Sequence, residues 1–145
     1  QQASEPNSVD TLLVQQAIAR PLLPALIRRM IEEFRIDSLG CTKTLALIGS
    51  QAMTGHKTVE PATAEDWSRQ FQSKTLAVKM VTDMDEALEH IARYGPAHTS
   101  TIVTRDYANA MRFAREVDDN DFMLTGSILA ANASLLPQMQ KALKG

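Results

Sequence analysis

Apolar positions along the chain recur with two different periods, which predicts strands that alternate with helices. Short apolar or alternating runs are typical of strands. These runs are Asp10–Val14, Thr44–Ile48, Leu76–Thr82, Ser100–Thr104 and Asp121–Thr125. The first of them also suits the end of a helix. Apolar residues spaced three and four positions apart predict helices over Gln15–Phe34, Asp83–Tyr94, Asp106–Val117 and Leu135–Leu143.

Prolines set the expected start of the first helix, within Gln15–Phe34. A proline costs about 3 kcal/mol inside a helix but is tolerated in the first turn. We therefore expect the helix proper to begin near Pro21 or Leu23. Residues Gly49–Ala64 show no periodicity and predict a loop, and Thr63–Phe71 allows one short helical turn.

The later helices carry signals at their ends. Asp83 is a candidate N-cap because Glu86 follows three residues later, and Gly95 suits the position after the helix. In the next helix, five residues are expected to face inward, namely Ala110, Met111, Phe113, Ala114 and Val117.

Strands that alternate with helices of this length are typical of βαβ units around a mainly parallel sheet. We therefore predict an α/β fold with three layers, α/β/α, in which helices cover the sheet. The 145 residues and a hydrophobic fraction of 44% suffice for one core. We expect an extended polar lead-in over residues 1–8 and a single α/β domain over residues 9–145.

Composition excludes several functional classes. The 15 basic and 17 acidic residues nearly balance, which argues against a domain that binds nucleic acid. No apolar run approaches the roughly 18 residues of a membrane helix, so no transmembrane segment is expected. The single cysteine, Cys41, excludes an internal disulfide and a multi-cysteine zinc site.

Candidate catalytic and metal-binding residues are few. The three histidines, His56, His90 and His98, have no second ligand at a metal-binding spacing, so we expect surface or capping roles and no metal site. Cys41 has Lys43 nearby but no partner histidine in the pattern of a catalytic site, so we expect an inert thiol. The glycines are spaced too widely for a phosphate-binding loop.

One continuous stretch is more specific than its parts. Residues 76–117 read LAVKMVTDMDEALEHIARYGPAHTSTIVTRDYANAMRFAREV. This stretch resembles the catalytic domain of gamma-glutamyl phosphate reductase, a proline-biosynthesis enzyme of the aldehyde dehydrogenase superfamily. Members of that family show a VK strand, an EAIxHI helix, a YGSxHT turn, an AIVT strand and an xNAxRFxxEVD helix.

Two further segments extend the resemblance to roughly Asn7–Ser127. The run NSVDTLLVQQAIARPLLPAL, which starts at Asn7, is similar to the segment after the family's catalytic cysteine, often CNAxETLLVH. The run EDWSRQF, which starts at Glu65, is similar to the family's DWxxEY element. The resemblance therefore implies an aldehyde-dehydrogenase-like catalytic-domain fold.

The resemblance also implies which residues would carry chemistry. In the family, a cysteine thiolate forms a thioester and a nicotinamide cofactor exchanges hydride with it. Pro6 stands at the position expected for that cysteine, and Gln70 stands at the position of the glutamate that contacts a cofactor ribose. We therefore expect no catalytic residue, no cofactor-binding residue and no cofactor.

A third site segment departs from the family pattern as well. Where the family has NASTRF, this sequence has Thr125, Gly126, Ser127, Ile128, Leu129 and Ala130. Leu129 thus replaces an arginine that could bind an anionic substrate. The family's nucleotide-binding domain, which lies upstream, has no counterpart in the 145 residues.

These departures favour a non-catalytic structural or interaction subunit, with a protein partner or a second copy of the chain covering surfaces that the parent architecture buries. One alternative is a fragment or chain of an active NADPH-dependent gamma-glutamyl phosphate reductase, with the cofactor domain on another chain. In one version of this alternative, Cys41 substitutes for the missing cysteine. Another is a metabolite sensor that uses the remaining cleft. A free thiol suits an intracellular location. The first residue is not Met, which suits an organelle such as the mitochondrion after presequence removal; the other expected location is the cytoplasm.

Overall fold

A computed structural model describes residues 9–49, 59–71, 73–95 and 100–117. The chain divides into two compact units, Gln1–Ala87 and Leu88–Gly145. Within the described ranges, the strands are β1 (Thr11–Gln15), β2 (Asp37–Gly40), β3 (Glu60–Pro61) and β4 (Thr75–Val81). The α-helices are α1 (Gln16–Glu32), α2 (Thr42–Ile48), α3 (Met84–Tyr94) and α4 (Tyr107–Glu116).

The four strands form one sheet in the order β1-β4-β2-β3, and every pairing is parallel. β4 lies in the interior of the sheet, where Ala77 pairs with Thr11 on one side and with Leu39 on the other. Parallel strands need crossover connections, and α1 supplies one between β1 and β2. The predicted α/β fold with a mainly parallel sheet is therefore confirmed.

The core of the first unit lies between one face of this sheet and the two helices α1 and α2. β4 contributes alternate residues to this face, as the pleat of a strand requires. Helix α1 contributes positions three and four residues apart. The buried members of the cluster are Val14, Ala19, Leu23, Ile27, Met30, Ile31, Ile48, Leu76, Val78 and Met80.

Helix α1 begins at Gln16, so the prediction that it begins near Pro21 or Leu23 was wrong. Both Pro21 and Pro24 lie inside the helix. Packing explains the difference, because Ala19 already contributes to the buried row before the first proline. Pro21 lies on the exposed side of the helix, where a carbonyl group left without its helical donor can bond to water instead.

Residues 42–48 form helix α2, so the strand predicted over Thr44–Ile48 was wrong. A short apolar run fits a buried strand and a buried helical segment equally well. Here Thr44 and Ile48, one helical turn apart, are the buried residues. The strand lies just upstream instead, as β2, whose sequence DSLG has a single large apolar side chain and gave no strand pattern.

The segment between α2 and β4 was predicted as a loop followed by one helical turn. β3, a strand of two residues, lies inside the predicted loop, and residues 50–58 lie outside the described ranges. The helical turn is confirmed as a 3-10 helix over Asp66–Ser68. The strand predicted over Leu76–Thr82 is confirmed as β4 with a shift of one residue.

Both later helices are confirmed, and so is the predicted N-cap of α3, whereas the N-cap of α4 was not predicted. The backbone N–H of Glu86 donates to Asp83 Oδ1 over 2.9 Å at the start of α3. The backbone N–H of Asn109 donates to Asp106 Oδ1 over 3.2 Å at the start of α4. Of the five residues expected to face inward from α4, Ala110 and Phe113 are buried, and Met111, Ala114 and Val117 are half-buried.

Between α3 and α4, the strand predicted over Ser100–Thr104 is absent from the described residues, apart from a single bridge at Val103. Val103 is 71% exposed, whereas a strand of a parallel sheet is expected to be buried. The predicted strand Asp121–Thr125 and helix Leu135–Leu143 lie outside the described residues, as does the lead-in over 1–8. No helix in the described ranges is long and apolar enough to span a membrane.

Candidate functional site

Three of the sequence-derived positions, Gln70, Cys41 and His90, fall within the described residues. The other positions, namely Pro6, the run from Thr125 to Ala130, His56 and His98, lie outside them. Gln70 and Cys41 occupy different places in the first unit, and each has a defined local environment.

Gln70 is exposed and lies between the 3-10 helix and β4. The segment before it is fixed by Asp66, whose Oδ2 atom accepts hydrogen bonds from the Thr63 backbone N–H (2.7 Å) and the Thr63 hydroxyl (2.8 Å). These two bonds lower the pKa of the Asp66 carboxyl, and the bond from the Thr63 backbone has the larger effect. Gln70 therefore follows a hydrogen-bonded turn in which the Asp66 carboxylate accepts both bonds.

The residue after Gln70 ties this segment to the beginning of β1. The backbone N–H of Phe71, which is buried, donates to Asp10 Oδ1 over 3.1 Å. The backbone oxygen of Asp10 accepts from Ala77 of β4 over 2.9 Å. Asp10 thus joins the Gln70 segment, β1 and β4 at the amino-terminal end of β1.

Cys41 directly follows β2, at the carboxyl end of that strand. Its backbone N–H donates to the Val78 carbonyl over 3.1 Å, and its Sγ atom lies 3.2 Å from Thr44 Oγ1. Thr44 is fully buried, and its hydroxyl donates to the same Val78 carbonyl over 3.2 Å. The thiol is therefore held against β4 through a buried threonine.

Opposing effects act on the ionisation of this thiol. Burial raises the pKa of Cys41, whereas hydrogen bonds with the Thr44 hydroxyl and with the backbone of Met80, Thr44 and Lys43 lower it. The net pKa lies below the ordinary value of a cysteine. The nearby Lys43 is evident from the sequence, but the rest of this environment is not, because Met80 and Val78 are brought to Cys41 only by the pairing of β2 with β4.

The strand register separates Cys41 from the entry to β1. Gly40, the last residue of β2, pairs with Val78 of β4, and β4 lies between β2 and β1. Two strand spacings amount to roughly 10 Å. Because the strands are parallel, all of them begin at the same end of the sheet. Cys41 follows the carboxyl end of β2, whereas the chain enters β1 at its amino end. Cys41 and the start of β1 are thus separated both across the sheet and along it.

His90 is buried, so the prediction of a surface or capping role was wrong for this residue. It lies in α3 one turn before Tyr94, and the two ring centroids are 4.9 Å apart. The spacing of four residues between two ring-bearing side chains was the signal that could have indicated packing. Within the described residues, no three histidine, cysteine or carboxylate side chains form a group that could hold a metal ion.

Charged side chains at the end of β4 support the turn into α3. Glu86 Oε2 accepts from the Thr82 backbone N–H over 2.7 Å, and Glu86 Oε1 lies 3.7 Å from Lys79 Nζ. The Thr82 bond is the main cause that lowers the pKa of Glu86, and Lys79 adds to it. These contacts give the cluster a structural role at a helix start.

Comparison with known proteins relates the chain to one group of enzymes, although no protein-family model matches it. It is 44% identical over 121 residues to gamma-glutamyl phosphate reductase of Desulfatibacillum aliphaticivorans, covering 83% of this chain and 27% of the relative. The identity to the reductase of the same name from Magnetococcus marinus is 38%, with the same shares covered. The chain spans about a quarter of the length of these curated relatives.

The fold agrees with this relation. The crystal structure of gamma-glutamyl phosphate reductase from Thermotoga maritima matches with a TM-score of 0.74 and 28% sequence identity, over 93% of this chain and 29% of that one. Sequence and structure together show that the chain is homologous to a segment of gamma-glutamyl phosphate reductases.

Proposed function

We propose that this segment, homologous to part of gamma-glutamyl phosphate reductases, is a non-catalytic structural and interaction module. The observation that carries the proposal is Pro6, which stands where the resemblance places the nucleophilic cysteine. Proline offers neither a thiol nor a hydroxyl, so it cannot form the covalent intermediate on which thioester chemistry depends.

Two further substitutions support the proposal. Gln70 keeps the hydrogen-bonding capacity of the expected glutamate but carries no charge. Leu129 stands where the resemblance places an arginine, and a leucine cannot form a bidentate bond with an anionic group. The three changes affect the nucleophile, a cofactor contact and a substrate contact, which are separate parts of the chemistry.

The surroundings of Cys41 argue against its acting in place of the missing cysteine. It lies two strands away from β1 in the sheet, and its thiol is hydrogen-bonded to the buried Thr44. A substitute nucleophile would need to reach the same reacting carbon, and misplacement by even 1 Å can slow an enzyme about 100-fold.

A retained fold is compatible with lost chemistry, because function depends on sites built upon a fold. We propose that the preserved α/β unit binds a protein partner or a second copy of this chain in a larger assembly. Several large apolar side chains support this, since Val9, Ile18, Leu22 and Phe34 are all exposed in the first unit. An intracellular location is also proposed, because Cys41 is a free thiol.

A chimera tests the loss of catalysis in a full-length setting. This chain would replace the matching segment of the Desulfatibacillum aliphaticivorans reductase, and reductase activity would be measured with its substrates. We expect no activity above background, with circular dichroism and gel filtration showing a folded chimera. The Pro6→Cys chimera serves as the matched control, with turnover or covalent acylation at residue 6 as its readout. Activity in the chimera that contains Pro6 would overturn the proposal.

The second candidate is an active reductase chain that uses Cys41 as its nucleophile. The lowered pKa of the Cys41 thiol favours it, because the thiolate is the reactive form. This candidate predicts measurable turnover in the chimera with Pro6, abolished by Cys41→Ser. Turnover that survives Cys41→Ser, or no turnover at all, would exclude it.

The proposed partner is tested on the natural protein. Light scattering would measure its mass in solution, and purification from its native source would show whether a second protein stays bound at constant stoichiometry. We expect an oligomer or a stable complex. A monomer that purifies alone would contradict the proposed interaction role.

A further inference from the structure

We draw no further inference here: the strongest candidate, the exposed apolar stripe formed by Ile18 and Leu22 on the outer face of α1, carries none because nothing in the described part of the structure shows what covers it.

Discussion

The hydroxyl of Thr44 lies 3.2 Å from the Cys41 Sγ atom and 3.2 Å from the Val78 carbonyl oxygen. A threonine hydroxyl has one proton, so it can donate to the carbonyl or to a thiolate but not fully to both. When the Thr44 hydroxyl donates to the Val78 carbonyl, the thiol of Cys41 must be the donor in its bond to Thr44. Ionisation of Cys41 therefore competes with the hydrogen bond that fastens α2 to β4.

Removing this hydroxyl is expected to raise the pKa of Cys41. Thr44→Val keeps the shape of the side chain but deletes a donor that stabilises the thiolate. The pH dependence of iodoacetamide alkylation measures the pKa directly, and Thr44→Ser, which retains the hydroxyl, is the matched control. An unchanged profile in Thr44→Val would show that the backbone donors alone set the ionisation.

The same thiol predicts a stability that depends on pH. The pKa of Cys41 is lower in the folded chain than the ordinary value of 9.0, so folding favours the thiolate. The contribution of the Cys41 thiolate to the free energy of unfolding is present above about pH 9 and is lost as pH falls through the pKa of the folded chain. Urea unfolding across this range should therefore show that the wild-type chain gains stability relative to Cys41→Ser as pH rises. If the free energy of unfolding changed with pH by the same amount in the wild-type chain and in Cys41→Ser, the prediction would be wrong.

Ser38 gives a contrast with Thr44. Its hydroxyl is buried in β2 and has no hydrogen-bond partner among the described residues. Because a buried hydroxyl without a bond costs roughly 1–3 kcal/mol, Ser38→Ala should leave the free energy of unfolding unchanged or raise it by about 1 kcal/mol. Thr44→Val, which removes a bonded hydroxyl, should lower it by about 1 kcal/mol. Equal losses in both variants, measured by urea unfolding, would contradict this account.

Arg35 has a left-handed backbone after α1, with φ of 54°. Side chains other than glycine pay roughly 1–2 kcal/mol for that conformation, whereas glycine adopts it readily. Arg35→Gly should therefore be more stable than Arg35→Ala by about 1 kcal/mol in thermal unfolding. Comparing these two variants cancels the loss of the arginine side chain, which both share. Equal stability would mean that the turn relaxes when the side chain is removed.

The parts of the fold that the sequence predicted well are those whose signals are local. Asp83 caps its helix within a few residues, and β4 is a mainly apolar run that includes two valines. The errors arose where local signals conflict with packing. Pro21 favours a helix start, yet Ala19 is already buried before it. The apolar run that begins at Thr44 was predicted as a strand, yet it forms helix α2 and is not part of the sheet.

The candidate site was predictable only in part, for a related reason. Resemblance drew attention to Pro6 and Gln70 because those positions belong to linear motifs. The surroundings of Cys41 depend on Val78 and Met80, which are remote in sequence and reach the thiol through the parallel pairing of β2 with β4. The spacing of residues along the sequence does not reveal such a contact, because it depends on which strands pair and in which register.

The loss of the nucleophile is tested most directly by acylation with acetyl phosphate, followed by peptide mass spectrometry of thioesters that hydroxylamine cleaves. We expect no thioester on the unmodified chain and a thioester at residue 6 of the Pro6→Cys variant, with a Pro6→Ala variant as the matched control. Iodoacetamide labelling would confirm that the Cys41 thiol is intact in all three proteins. A thioester on Cys41 of the unmodified chain, formed as readily as that at residue 6 of Pro6→Cys, would show that the chain still has a working nucleophile.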